Sequence, residues 1–364
     1  MFDDVYERKK VFVTGHTGFK GSWLCTWLLK LGAEVCGFSM NIPTNPSNFE
    51  ILGLKDKMQH IEGNICNRNQ LLLSLREFQP DIVFHLAAQS LVRRSYNDPV
   101  TTFETNALGT LNVLECMRQC PSVQAGVIIT SDKCYRNLDW TWGYRENDIL
   151  GGKDPYSASK GCAELIIYSY INSFFQEGAR VASARAGNVI GGGDWAEDRV
   201  VPDAVRAWSQ EKSVVIRRPN ATRPWQHVLE PLSAYLWIGA KLLKKDTAAA
   251  GQAFNFGPDA SVNKSVEQLI SSMAKHWLGA DWKVGRADAT NQKESTLLKL
   301  CCDKALNLLN WKAILSFEET AAMTMEWYRT YYGHGKDHML SLTDSQIEEY
   351  SSKACAKGLP WALS

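Results

Sequence analysis

The stretch that most constrains this chain runs from Val11 to Gly21. The apolar run Val11 to Val13 predicts a short buried strand. Ser22 to Lys30 predicts a helix with Trp23, Leu24, Trp27 and Leu28 on one face. Between them Gly15, Gly18 and Gly21 recur at three-residue spacing. Strand, glycine-rich turn and helix in that order make a phosphate site. The first glycine permits the tight turn, the second lets backbone approach a pyrophosphate, and the third lets helix and strand pack closely. The helix N-terminus offers free N–H groups and the positive dipole end to the anion. A glycine triplet alone also fits an ordinary turn. After the first strand of a long chain it points to a nucleotide site.

At 364 residues the chain predicts two domains around a large core. The formal net charge of +1 gives no sign of a nucleic-acid or membrane partner. No apolar run approaches the ~20 residues of a membrane span. Met1 to Lys10 is charged and leads straight into the first strand, which argues against a signal peptide. The 10 cysteines form no CxxC pair, and Cys301 and Cys302 are adjacent. That usage predicts reduced thiols in the cytoplasm. His334 and His338 lie four apart in a polar tail with no further ligands evident, so they read as solvated surface rather than a metal site.

Further along, Glu34 to Phe38 predicts a second strand. It ends in Phe38, Ser39, Met40 and Asn41, with no acid for ribose hydroxyls and no Arg for a 2′-phosphate. This position therefore does not choose between NAD and NADP. Asn64 follows a third strand, where its amide would meet adenine. Asp81 onward predicts a buried strand running into Leu86, Ala87, Ala88 and Gln89. Small residues there let a cofactor lie against backbone. Thr101 to Arg118 predicts one long helix, with Asn106 inside it bonding nearby backbone. Gly126 to Thr130 predicts a fifth strand. Alternating strands and helices imply an α/β, doubly wound parallel sheet. Ligands of such sheets bind beyond the strands' carboxyl ends. There Ser131, Asp132 and Lys133 follow Thr130. Tyr156 and Lys160 sit four apart on a predicted helix from Ser157 to Glu177, hence on one face. A Lys ammonium beside a phenol lowers its pKa from about 10.

Beyond Arg185 the periodicity becomes irregular. Gly191 to Gly193, with Asp194 and Trp195, predicts a mobile loop. Arg199, Arg206, Arg217, Arg218 and Arg223 cluster in sequence, and Arg suits a nucleotide diphosphate through its bidentate geometry. His227 to Lys244 is apolar and is expected to return to the sheet domain. Phe254 to Gly257 and the helices after Val262 are expected to complete a substrate domain. Thr343 to Gln346 has a capping-box pattern ahead of a last helix. The domain expectation is 1–185, with a return segment about 227–250, and an interleaved second domain over 186–364.

Gly15 to Gly21, Asn106, Ser131 and the pair Tyr156 and Lys160 resemble the extended short-chain dehydrogenase/reductases, which carry a Rossmann fold. Within that superfamily several longer stretches resemble the CDP-glucose 4,6-dehydratase family. They are Gly15–Trp23, Ser131–Tyr135, Trp142–Asn147, Asp154–Lys160, Arg185–Trp195 and Arg223–Val228. The resemblance runs from about Lys10 to Tyr350. It implies NAD as cofactor, held by Gly15, Thr17, Gly18, Phe19, Lys20, Gly21, Asn64, Ile65, Leu86, Ala87, Ala88, Gln89, Asn106, Thr130, Tyr156 and Lys160. It implies CDP-glucose as substrate, with Asn188 and Arg223 binding it beside Arg199 and Arg218 of the cationic cluster. Tyr156, with Ser131 and Lys160, would take the sugar 4-OH proton during oxidation. Asp132 resembles the acid for the 6-OH. Lys133 stands where related dTDP-glucose dehydratases have a Glu base, which leaves the C5 base open. The superfamily's helix pairing implies a homodimer through 101–118 and 157–177. A nucleotide-sugar 4-epimerase would share Ser131, Tyr156 and Lys160 but has no need of Asp132 and Lys133. A non-catalytic NAD-sensing protein would have no need of the Tyr-Lys pair.

Overall fold

The computed structural model describes residues 1–259, 262–285 and 297–363. Its centre is a parallel sheet of β1 (Lys10–Thr14), β2 (Glu34–Ser39), β3 (Gln59–Glu62), β4 (Ile82–His85), β5 (Ala125–Ile129), β6 (Arg180–Ala186) and β7 (Ala253–Phe256). The spatial order is β7-β6-β5-β4-β1-β2-β3. The helices that position the site are α1 (Phe19–Lys30), α2 (Arg68–Phe78), α3 (Gly109–Arg118), α4 (Pro155–Phe174) and α5 (Leu229–Leu243), with α6 (Phe317–His334) and α7 (Met339–Ala356) toward the C-terminus.

Strand periodicity sorts the core into two layers. Phe12, Val83 and Ile128 join Leu71, Leu75, Val113, Leu114 and Ile167 of α2, α3 and α4 in one cluster. Val11, Val13, Phe84 and Val127 turn the other way, toward Trp23, Trp27, Leu232 and Leu236 of α1 and α5. Successive residues of a strand point to opposite faces, so a nearly continuous apolar strand is buried on both. The strand order reverses between β1 and β4, and such a switch point opens a crevice at the carboxyl ends.

Five expectations change. Phe254 to Phe256 form β7, paired with Ala184 to Ala186 of β6, so this stretch belongs to the main sheet and not to a substrate domain. The C-terminal helices also leave the expected second domain. Trp361 stacks on Phe2 at 5.1 Å, and Tyr350 meets Trp27 edge-on at 6.0 Å, which seats α7 against α1. Thr343 to Gln346 lie inside α7, where Thr343 Oγ1 accepts from Trp327 Nε1 at 3.0 Å. Capping boxes stand instead at Ser265 with Gln268 and at Ser316 with Glu319. Gly191 to Gly193 are buried rather than in an open loop: a Cβ on Gly192 would meet Trp327 Cγ at 2.0 Å. Finally, the helix expected over 101–118 is interrupted by a π turn at Glu104–Leu108. Asn106 there donates to Gln89 O at 3.0 Å and accepts from Gln89 N at 2.9 Å. A π turn often marks a functional position.

Glu230 of α5 ties the C-terminal part to the sheet. Its Oε1 accepts from Ile314 N at 2.8 Å and Leu315 N at 2.7 Å, and its Oε2 accepts from Tyr350 OH at 2.7 Å. Burial nevertheless raises this carboxyl from 4.5 to about 7. Between those values the folded state holds a proton that the unfolded chain has lost, so stability falls as pH rises through that window. Glu230→Gln lacks this titration. The stability of wild type relative to the variant should therefore drop by roughly 3 kcal/mol from pH 4.5 to beyond pH 7. Denaturant midpoints at both pH values measure it, and a constant difference would refute the linkage.

Candidate active site

The glycine-rich turn is shaped by close approach. Gly15 has φ +77°, and a Cβ there would lie 2.6 Å from Ala87 N. A Cβ on Gly21 would lie 2.2 Å from Gly15 O. Only hydrogen fits at either position, so α1 starts hard against β1 and β4. Gly18 is the N-cap of α1, with Phe19, Lys20 and Gly21 as its first turn. Thr14 Oγ1 meets His85 Nδ1 at 2.7 Å and accepts from Ala87 N at 3.3 Å, which joins the Leu86 to Ala88 segment to the same turn. These glycines form a cradle that a Cβ would fill, open at a helix N-terminus, and it fits a dinucleotide pyrophosphate.

The adenosine end differs from the common pattern. Ser39 ends β2, and its Oγ lies 2.9 Å from His16 Nδ1. His16 Nε2 lies 2.7 Å from His60 Nδ1, and burial keeps His16 neutral, its pKa down to about 3. Thr17 donates its hydroxyl to Asn41 O at 2.7 Å. Asn64 Oδ1 accepts from Cys66 N at 2.9 Å. The Ile65 side chain is buried in the core, where Gly109 leaves room for it.

At the other end of the crevice the catalytic candidates converge. Asp154 caps α4, accepting from Ser157 N at 2.9 Å, and Pro155 opens the helix. Tyr156 and Lys160 follow, both buried. Ser159 Oγ donates to Tyr156 O at 2.7 Å and accepts from Asn106 Nδ2 at 2.9 Å, so the π turn braces the start of α4. Ser131 caps a short turn over Asp132–Cys134. Ser131 Oγ donates to Asp132 Oδ1 at 2.9 Å, and Lys133 Nζ reaches the same oxygen at 3.3 Å. The Asp132 side chain is 1% exposed and that of Lys133 is 29%. Asp132 Oδ2 is buried without a hydrogen-bond partner, and so is Asn188 Oδ1.

Electrostatics amend one expectation. Burial raises Tyr156 above its ordinary 10.0, outweighing the cations that lower it. The largest of those is Lys133, ahead of Arg199, rather than the Lys160 expected from the four-residue spacing. Lys160 itself is pushed down to about 8 by burial, with Glu164 opposing the shift. Lys20 is pushed down to about 7 by burial and by Arg199, with Asp132 opposing. Lys20, Lys133, Lys160 and Arg199 thus share one neighbourhood with Asp132 and Tyr156. An excess of cations in a cleft favours an anionic ligand.

Of the arginine cluster, Arg199 joins this neighbourhood. It donates to Asp194 Oδ2 at 2.8 Å and Ser90 Oγ at 3.3 Å. Arg223 lies on a two-residue strand pairing with Lys264 and Ser265. Arg206 is drawn off to Asp203, at 2.5 Å, and to Trp195 O. Sequence reading named no role for Asp194, Glu164, Arg185 or Tyr135. Glu164 had a local signal, standing four residues beyond Lys160 on the same helix face, and Tyr135, Arg185 and Asp194 lie within the stretches Ser131–Tyr135 and Arg185–Trp195.

Comparison with known proteins agrees with this geometry. The family described as GDP-mannose 4,6 dehydratase matches residues 12–324. The CDP-glucose 4,6-dehydratase of Salmonella typhimurium is 46% identical over 355 residues, covering 95% of this chain and 97% of the relative. The CDP-paratose 2-epimerase of Salmonella typhi is 24% identical, covering 87% of this chain and 98% of the relative. Among solved structures, the dTDP-glucose 4,6-dehydratase of Streptomyces venezuelae with NAD bound superposes with a TM-score of 0.76 at 23% identity, covering 89% of this chain and 98% of that one. On the extent of the family match and the identity to the Salmonella typhimurium relative, this chain belongs to the GDP-mannose 4,6 dehydratase family.

Proposed function

We propose that the chain converts CDP-D-glucose to CDP-4-keto-6-deoxy-D-glucose. The broader class, an NAD-dependent nucleotide-sugar 4,6-dehydratase and hence a hydro-lyase, follows from family membership and from the 46% relative. The observation that carries the finer reading is Asp132: a buried carboxylate, one oxygen unpartnered, between Ser131 and Lys133. A 4-epimerase needs no acid at that point.

NAD, when bound, supplies the hydride acceptor for C4 and the hydride donor for C6. Gly15, Gly18 and the first turn of α1 would hold its pyrophosphate, and Lys160 its nicotinamide ribose. Tyr156 takes the proton of the 4-OH, with Ser131 bonded to the same oxygen. The resulting ketone acidifies C5–H. One proton passed from Lys133 to Asp132 within their pair would leave a free amine, the candidate to remove the C5 proton, and a carboxylic acid that protonates the departing 6-OH as water. A proton then returns to C5. Asn188, Arg199, Arg218 and Arg223 are assigned to the nucleotide sugar. The reading extends to a reduced, cytoplasmic setting, supported by ten unbridged cysteines. No described helix is long and apolar enough to cross a membrane.

It also includes a homodimer. Leu108, Leu165 and Tyr168 are exposed along the helices expected to pair, Tyr168 at 70%. Ile167 is buried in the core and does not contribute to that face. Light scattering at micromolar protein should give twice the chain mass. Tyr168→Glu with Leu165→Glu should give a folded monomer, and a monomeric wild type would refute the pairing.

Tyr156→Phe should keep the fold and bind NAD, yet lose about 10²–10⁴-fold in the first oxidation. Near wild-type turnover would remove Tyr156 from its role. Asp132→Asn and Lys133→Ala should still reduce bound NAD on adding CDP-glucose, so reduced nicotinamide accumulates without product. Hydrogen–deuterium exchange at C5 should persist in Asp132→Asn and vanish in Lys133→Ala. Persistence in the lysine variant would exclude it as the base. Presenting CDP-, dTDP-, UDP- and GDP-glucose in turn tests the nucleotide, with 4-keto-6-deoxy product expected from CDP-glucose.

A further inference from the structure

The turn bearing Ser131, Asp132 and Lys133 is held at both ends by one buried ion pair. Glu164 Oε2 and Arg185 Nη2 lie 2.7 Å apart, with side chains 3% and 4% exposed. At the start of the turn, Thr130 Oγ1 donates to Glu164 Oε1. At its end, Arg185 Nη1 donates to Tyr135 OH at 2.6 Å. Thr130, Glu164, Arg185 and Tyr135 therefore form a chain of contacts that begins and ends on the same six-residue segment. Outside supports hold the chain in place. Ser183 Oγ donates to Glu164 Oε2 at 3.0 Å, and Arg185 Nη1 also donates to Glu146 O at 2.9 Å. Tyr135 OH donates to Asn255 Oδ1 at 2.7 Å, and its ring stacks on Tyr144 at 5.2 Å.

A buried ion pair is a weak source of stability, because desolvation cancels much of the attraction. Its contribution here is geometric. The planar guanidinium presents its donors in a rigid fork. One prong fixes Glu164 and the other fixes Tyr135, which sets the span of the turn between them. Tyr156 and Lys160 have separate supports in the Asp154 cap and the Asn106–Ser159 contact.

We propose that Glu164, Arg185 and Tyr135 are positioning residues for the elimination half of the reaction: they hold Asp132 and Lys133 at C6 and C5 of the sugar, whereas the hydride step, whose Tyr156 is held on α4, depends on the turn less, through Ser131 and the charge of Lys133. This rests on the dehydratase reading above. Tyr135→Phe removes one hydroxyl and keeps the ring stacking. With NAD saturating and CDP-glucose added, reduced nicotinamide should still appear, slowed by less than about tenfold through Ser131 on the same turn. Product formation and C5 exchange should slow by on the order of tenfold to a hundredfold, so that reduced nicotinamide accumulates. Ser183→Ala, which removes an outside support from Glu164 Oε2, should give the same split and decides the matter if Tyr135→Phe does not fold. A purely structural role would lower both steps together or the amount of folded protein alone. Equal slowing of both steps, or slowing of neither, overturns the proposal. An inactive wild type with CDP-glucose would instead overturn the dehydratase reading.

Discussion

The close approach of α1 to β1 at Gly15 and Gly21 is the constraint on which the rest of the structure depends. A Cβ at Gly21 would overlap Gly15 O, and one at Gly15 would overlap the backbone at Ala87. Because these contacts are backbone on backbone, no side-chain shift relieves them. They set the α1 N-terminus at the crevice where the sheet order reverses. They also fix the rear of α1, where Trp23 Nε1 donates to Gly192 O at 2.8 Å and Trp27 packs against Tyr350 and Trp361. The same helix therefore aligns the cofactor cradle, the buried glycine segment after β6 and the C-terminal helices.

Charge organises the other end of the crevice. Lys20, Lys133, Lys160 and Arg199 come from α1, the turn after β5, α4 and the segment before Val200. Sequence places them far apart, and the sheet brings them to one edge. Burial depresses Lys20 and Lys160, with repulsion from Arg199 adding to the shift at Lys20, so both gain from an anion nearby. Asp132, Asp194 and Glu164 balance part of this charge. Tyr156 lies among these groups with its phenol raised by burial.

Much of the fold was legible because its signals are local. The β1–α1 glycines, the buried strands and the Tyr156–Lys160 spacing follow from backbone sterics and from the periods of strand and helix. Errors fell where a tertiary contact outweighed the local pattern. Thr343 to Gln346 match a capping box, but Trp327 uses the Thr343 hydroxyl and α7 starts a turn earlier. Three consecutive glycines suggest mobility, yet Trp327, Val228 and Asn48 fill the space that side chains would need. The stretch Phe254 to Phe256 has the composition of a buried strand, but its place beside β6 comes from a long crossover through α5.

Sequence by itself determined the doubly wound sheet, the glycine cradle after the first strand and the one-face spacing of Tyr156 and Lys160, because each depends on neighbours within a few positions. Only tertiary structure decided which cation acts most strongly on Tyr156, since Lys133 arrives from another element and outweighs the helical neighbour Lys160. Only tertiary structure joined Thr130, Glu164, Arg185 and Tyr135 beneath the Asp132 turn. Those contacts link β5, α4 and β6, and no periodicity within one segment encodes the distance between three.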